Sequence, residues 1–459
     1  MNRGISIVSA LLATTAMAAG CRGPEAADDK MQPPSNQAEA AAAAKPVSLV
    51  NGSGQCDTPT TPFCDAAVAL PAGWTGRVFK LAQDFPTTVP ADSQPWLAFD
   101  PMTQPNQYAK AVLAYFYEGN IRESVEDSFD PALNTRRKWY NAPWQDYGFN
   151  GREPAHGLTR ERVNLPAQGG KPAELDVKQT LPWNNYAIGF YNAAGASTIG
   201  KVWANHGAPD STKGMMPEGT VGAKLLFTTA TVDQVPYLAG APTWNTYVYS
   251  QVNSLRPNGS KRGMPAGTAG PVPVRLLQID IAVKDKRSPT GWVFGTFVYG
   301  GGPAPGTTPG AGWNNVSAVG LMWGNDPDYD GSGPLKESWI NPAVKMPHLG
   351  YQGRLNGPVD NPISSCLSCH STAQDPLGTA PMFPQPGKPV SYWFRNIPSG
   401  TPFQPPANPL DYSLQVAFGI KNFNDQKAAA AAPAGSARKV RLEATASDPL
   451  SPRDGATSH

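Results

Sequence analysis

The chain has 459 residues, with 37 Lys and Arg against 35 Asp and Glu, and only 16% of its residues are charged. A balance this even leaves no net field to gather nucleic acid or an anionic surface, so nucleic acid is excluded as an expected partner. Its 49 Pro and 46 Gly make it rich in loops, while 12 Trp, 15 Tyr and 16 Phe exclude a disordered chain and require a buried core.

At the N-terminus an apolar run from Ile5 to Met17 follows Asn2 and Arg3 and leads into small residues before Cys21. The run is shorter than the roughly 20 residues a bilayer span needs, so 1–21 is expected to be an export signal. The letters "AAGC" resemble the lipobox of bacterial lipoproteins, whose cysteine is lipidated and becomes the mature terminus, although Ala18 stands where that family usually has Leu. The resemblance implies a periplasmic protein tied to a bacterial membrane by a lipid on Cys21; cleavage after an A-x-A-like site, releasing a soluble protein, is the alternative. Residues 22–50, rich in Ala, Pro and Gln, read as a flexible tether. Cys56 and Cys64 in "CDTPTTPFC" are expected to close a small disulfide loop in an oxidising compartment.

Residues 51–425 are expected to form one body. In "NQYAKAVLAYFYEG" the residues Ala109, Val112, Leu113 and Phe116 share a helical face, and Gly119 can end the helix. Runs of β-branched and aromatic residues at period two then follow at 184–194, 221–229, 245–252, 274–283, 291–299 and 314–323. In "VRLLQIDIAV", Leu277, Ile279, Ile281 and Val283 point one way and Gln278 and Asp280 the other. Gly- and Pro-rich stretches separate the runs. The pattern predicts a mostly β fold, an antiparallel β-sandwich with long loops and a few short helices. A second helix is expected over "NPLDYSLQVAFG", with Asn408 as N-cap, Pro409 in the first turn and Gly419 as the stop. Residues 426–459 lack a core pattern and read as a disordered tail.

Near the C-terminal end of that body stands "CLSCH", Cys366 to His370. The two-residue gap matches the vinyl groups of a porphyrin, to which both thiols add, and the adjacent imidazole reaches the iron from the same turn. A zinc site would need a second ligand pair, and the chain has no other C-x-x-C. The expected cofactor is therefore one covalent haem c on Cys366 and Cys369, with His370 on the iron. The segment resembles c-type cytochromes through this motif, but Gly357, Pro358 and Pro362 exclude the helix that leads into it in the small helical class. In layout the chain is similar to the β-sheet cytochromes c-prime-beta and the lysine-crosslinked hydroxylamine-oxidising cytochromes, where strands come first and the motif comes late. "MPEGTVGAKLLF" (216–227) adds to that likeness, and Lys224 is the nearest match to the family's crosslinking lysine, although an ordinary exposed strand lysine is the plainer reading. "GWVFGTFVY", "GLMWGNDP", "ESWIN" and "GRLNGPVDNPISSCLSCHSTAQ" also resemble large periplasmic cytochrome c domain proteins, which implies fold and motif but no defined reaction.

For the sixth iron position the residues leave three readings: Met382, then Met346 or His348 in "VKMPHLG", or an open or water-filled place lined by aromatics. "DPDYDGSGPLKE" puts Asp326, Asp328, Asp330 and Glu337 at ligand positions of a calcium loop. It resembles the loop of an EF-hand but departs from it at Gly333 and in its flanks, so Ca2+ is a secondary expectation beside a solvated acidic turn. Arg160 and Arg162, beside Glu161, could meet haem propionates or a partner, with surface ion pairs the plainer reading. His156 and His206 lie in loop-like sequence and read as surface or structural residues, and His459 lies in the tail. The expected function is periplasmic electron transfer to a redox partner protein. The alternatives are a haem oxidoreductase acting on a small nitrogenous or peroxide substrate at an open sixth position, and a β-sandwich that binds a gas or a glycan with haem as sensor.

Overall fold

The alternating runs form strands because each puts its large apolar side chains on a buried face at every second residue. The structure, a computed structural model, describes residues 63, 81–121, 129, 131–145, 158–249, 269–300, 312–344, 349–377 and 382–431. All of these belong to one compact unit, Lys45–His459. The strands are β1 (Thr159–Arg160), β2 (Asn185–Tyr191), β3 (Val221–Thr228), β4 (Thr243–Tyr249), β5 (Ala269–Lys284), β6 (Trp292–Tyr299), β7 (Val316–Met322) and β8 (Ser338–Ile340). They form one antiparallel sheet in the order β1-β2-β3-β5-β6-β7-β8, with β4 paired to the N-terminal part of β5. The fold is thus mostly β and antiparallel; among the described residues the second sheet is a ribbon of two short strands, β9 (Gln374–Asp375) and β10 (Asn408–Pro409), and no facing layer of a sandwich is seen.

Helices and loops cover the two faces instead. On one face Ile188, Phe190, Leu225, Ile279, Ile281 and Phe297 pack against α1 (Pro105–Tyr117), which buries Tyr108, Ala109, Val112, Tyr115 and Phe116. Each of the Ile, Leu, Val and Phe side chains among them, fully buried, contributes about 1.5–3 kcal/mol. Pro105 opens α1, and Gly119, at φ 75°, follows its end as the sequence predicts. On the other face Trp292, Phe294, Val298 and Met322 meet α2 (Ala193–Val202), α3 (Cys366–His370) and α4 (Leu414–Ala431) in a second apolar cluster.

Two expectations fail for tertiary reasons. Leu277 does not share the face of Ile279, because a bulge opposite Leu226 and Phe227 shifts the register and sends Leu277 into a third cluster with Leu226, Tyr299 and Val359. The helix expected from Asn408 starts at Leu414, because Asn408 and Pro409 pair with β9 and, beyond Leu410, Asp411 and Tyr412 take positive φ angles of 47° and 66°. Gly419 does not stop it. It lies within α4, where an added Cβ would come 2.6 Å from the carbonyl oxygen of Pro143, so glycine lets the helix approach that chain. The helix continues to Ala431, into the segment expected to be disordered.

Candidate functional site

Cys366, Cys369 and His370 occupy one short helix whose conformation is fixed from its ends. Ser365 accepts from the Ser368 N–H at 3.1 Å, and the Ser368 hydroxyl accepts from the Ser365 N–H at 2.8 Å, so α3 begins with a reciprocal cap. The Ser365 hydroxyl also donates to Asn325 at 3.0 Å, and the Cys366 N–H donates to the Leu355 carbonyl at 3.0 Å, tying the helix to the loops before it. Thr372 Oγ1 donates to the Cys369 carbonyl at 2.7 Å and closes the far end. Both thiols are free.

The imidazole of His370 is oriented by the backbone. Its Nδ1 lies 2.9 Å from the Tyr412 carbonyl, an acceptor, which places the proton on Nδ1. No described residue takes a hydrogen bond at Nε2, and the ring packs against Phe294 at 4.8 Å between centroids. The carbonyl of Tyr412 faces His370 out of the left-handed Asp411–Tyr412 turn, which costs energy for residues other than glycine. Asp411 holds the turn in place. Its carboxylate pairs with buried Lys284 at 2.7 Å and accepts from Ser399 Oγ at 2.7 Å, Trp292 Nε1 at 3.0 Å and the Met216 N–H at 3.0 Å. Lys284 also donates to Ser399.

A polar ladder crosses the sheet beside this helix. Gly189, Lys224, Asp280, Thr296 and Gly320 are successive cross-strand neighbours on β2, β3, β5, β6 and β7. Lys224 pairs with Glu161 at 2.9 Å. Thr296 donates to Asp280 at 2.8 Å and lies 3.5 Å from Cys366 Sγ. Gln278 Nε2 is 2.7 Å from Asp280 and 2.8 Å from Asp360, so one amide serves two carboxylates. Lys224, Asp280, Asp360, Cys369 and His370 are deep in the body, yet each keeps part of its surface open, and together they line a recess against α3.

Burial dominates the electrostatics here. It raises the Asp280 carboxyl to about 8, helped by the charge of Asp360, and raises Asp360 as well. It pushes the Cys369 thiol to about 12 and the Cys366 thiol well above its ordinary range, with Asp280 and Asp360 adding to the Cys366 shift. It lowers His370 to about 4, so the imidazole is neutral at neutral pH. These shifts make stability depend on pH. Asp280 keeps in the folded chain a proton that the unfolded chain releases above its ordinary 3.8, so stability falls as pH rises toward 8. His370 acts oppositely between 4 and 6.5, where the unfolded chain binds the extra proton. Above pH 6.5 only the carboxyl effect remains. Urea unfolding of the haem-free protein is expected to show stability falling between pH 6.5 and 8 by up to about 1.4 kcal/mol per pH unit, and Asp280→Asn is expected to flatten that slope.

The other residues singled out in the sequence fall in several places. Met382 is buried, and its main-chain carbonyl is 3.1 Å from Cys369 Sγ. Lys224 lies half-buried in the recess and is not an ordinary exposed strand lysine; its charge helps to lower the pKa of His370. Met346, His348, Cys21, Cys56, Cys64, His156 and His459, with residues 1–21, the tether and most of the tail, lie outside the described residues. His206 is exposed, its ring 4.1 Å from that of Phe63.

The calcium-loop carboxylates are not gathered around a common point, because the loop backbone already occupies two of them. Asp326 accepts from the Lys336 and Glu337 N–H groups at 2.7 and 3.0 Å, and Glu337 accepts from the Asp326 N–H at 2.6 Å and from Asn396. Asp330 accepts from Ser332, and Asp328 is exposed. Among the described residues no three His, Cys, Asp or Glu side chains stand close enough to hold a metal ion. Arg162 pairs with Glu174 at 2.8 Å and donates to the Asp360 carbonyl, while the side chain of Arg160 is outside the described set.

Sequence reasoning missed Glu161, Gln278, Asp280, Thr296 and Asp360 as residues of the site. Gln278 and Asp280 did give a signal, as polar residues interrupting an apolar strand, but that signal equally fits a solvent-facing side.

Comparison with known proteins gives no match: no family model fits the chain, and no curated protein or solved structure matches it. Among the described residues no helix is long and apolar enough to cross a membrane.

Proposed function

We propose that the chain is an exported monohaem c-type cytochrome that transfers single electrons in the periplasm. The observation that carries this reading is the surroundings of the two thiols. A zinc site or a redox dithiol requires thiolates, which a buried place beside two carboxylates disfavours. A thioether carries no charge and tolerates that place, and the Nε2 of His370, which no described residue engages in a hydrogen bond, suits an iron ligand.

In this reading Cys366 and Cys369 hold the porphyrin and His370 binds iron, and the haem supplies one-electron redox chemistry. The chain's own groups then act around it. Tyr412 fixes the imidazole tautomer and raises its basicity through the Nδ1 hydrogen bond, and Phe294 restrains the ring. The apolar cluster around Leu367 keeps water from the inner side of α3. A lipid on Cys21 would hold the protein at a membrane, near a redox partner protein.

The acid-and-lysine recess favours a second reading, a haem oxidoreductase acting on a small nitrogenous or peroxide substrate at an open sixth position, since proton acceptors beside a haem suit such chemistry. A glycan-binding role draws no support from the aromatics: the described Trp side chains are buried or half-buried, with none exposed. Absorbance spectra of the oxidised, reduced and carbon monoxide-treated protein separate the first two readings. A low-spin spectrum with a methionine-iron band that disappears in Met382→Ala is expected for the carrier. High-spin iron that binds carbon monoxide readily would replace it with the oxidoreductase.

A further inference from the structure

The recess contains more acid than an attachment site needs. Gln278 is fully buried, and its amide oxygen accepts from the Val359 N–H at 3.1 Å, which turns its NH2 group toward Asp280 and Asp360. The Gly357 N–H donates to the same Asp360 oxygen at 3.0 Å. Two carboxylates are therefore held within reach of one nitrogen. The charge of Lys224 reaches both acids, and it is already paired with Glu161. Arg162 is turned to Glu174 and to the main chain of Asp360. Facing groups from α3 are Cys366 and Cys369, neutral as thioethers, and His370, neutral and without a hydrogen bond to either acid. Among the described residues, Lys224 and Glu161 cancel and two negative charges remain. Like charges this close favour holding one proton between them.

We propose that Asp280 and Asp360 form a one-proton site linked to the charge of the haem iron, so that the protein takes up a proton when it takes up an electron. The inference rests on the haem reading above. Its link to the haem is short, because Thr296 bonds Asp280 and touches Cys366 Sγ. The step balances simply: one electron from a one-electron donor converts ferric to ferrous iron, and one proton from water, reaching the partly open recess, converts two carboxylates to one carboxylate and one carboxylic acid. The net charge of the site stays constant. The raised pKa of both acids in the haem-free chain agrees with a pair poised to hold this proton.

The test is the midpoint potential of the haem-loaded protein, followed spectroelectrochemically from acid to alkaline pH. Wild type is expected to show a limb in which the redox equilibrium shifts up to tenfold per pH unit, equivalent to about 59 mV for one electron. Asp280→Asn and Asp360→Asn are expected to remove that limb, and Asp328→Asn, on an exposed loop, to leave it unchanged. Infrared difference spectra of wild type should show the carbonyl band of a protonated carboxyl appearing on reduction, a readout that holds even where a variant misfolds. A pH-independent potential in a haem-loaded protein, or a limb that survives both substitutions, overturns the inference alone. A protein without covalent haem overturns it together with the haem reading.

Discussion

Asp411→Ala is expected to lower the unfolding free energy by about 3–5 kcal/mol, because it strands Lys284, a buried ammonium only 6% exposed, without its counter-charge. The same substitution removes the acceptor for Trp292 Nε1, Ser399 Oγ and the Met216 N–H, so three further donors lose their partner. It also releases the left-handed turn that presents the Tyr412 carbonyl to His370. Lys284→Met is expected to cost less, since Asp411 then keeps those three donors. Urea titrations of both variants measure the difference as a shift in midpoint at constant slope. A loss below about 1 kcal/mol for Asp411→Ala would place the network outside the determinants of the fold.

Replacing Cys366 and Cys369 together by Ser is expected to abolish covalent haem attachment while leaving the β body folded. Serine differs from cysteine by one atom, and Thr296 lies within reach of the new hydroxyl at position 366. The apolar clusters and the sheet register do not depend on either sulfur. Each single variant is expected to keep one thioether, and His370→Ala to keep both while losing the axial nitrogen. Haem staining after denaturing electrophoresis separates these outcomes from a general loss of folding, which circular dichroism of the same samples would report.

How much was legible in the sequence follows the range of the interactions. The strands could be read because period-two alternation is local, and α1 because Ala109, Val112 and Phe116 recur at helical spacing beside a Gly stop. The motif could be read because haem attachment needs thiols and imidazole within one turn of chain. The start of α4 could not. Asn408 and Pro409 have good helix-start chemistry, but pairing with β9 and the buried carboxylate of Asp411 outweigh it. The face of Leu277 was misread because nothing in its own run marks a bulge that arises from pairing with Leu226 and Phe227. The recess was hidden for the same reason: Glu161, Lys224, Asp280, Thr296 and Asp360 come from distant stretches, and only the strand register and the turn before α3 bring them together.

Covalent haem on Cys366 and Cys369 is tested most directly by the intact mass of the protein expressed together with the c-type haem maturation machinery. A species heavier than the polypeptide by one haem is expected, resistant to acid-acetone extraction and absent from the Cys366→Ser, Cys369→Ser double variant. A folded protein carrying no added mass, with Cys366 and Cys369 both free to alkylating reagents after denaturation, would contradict it.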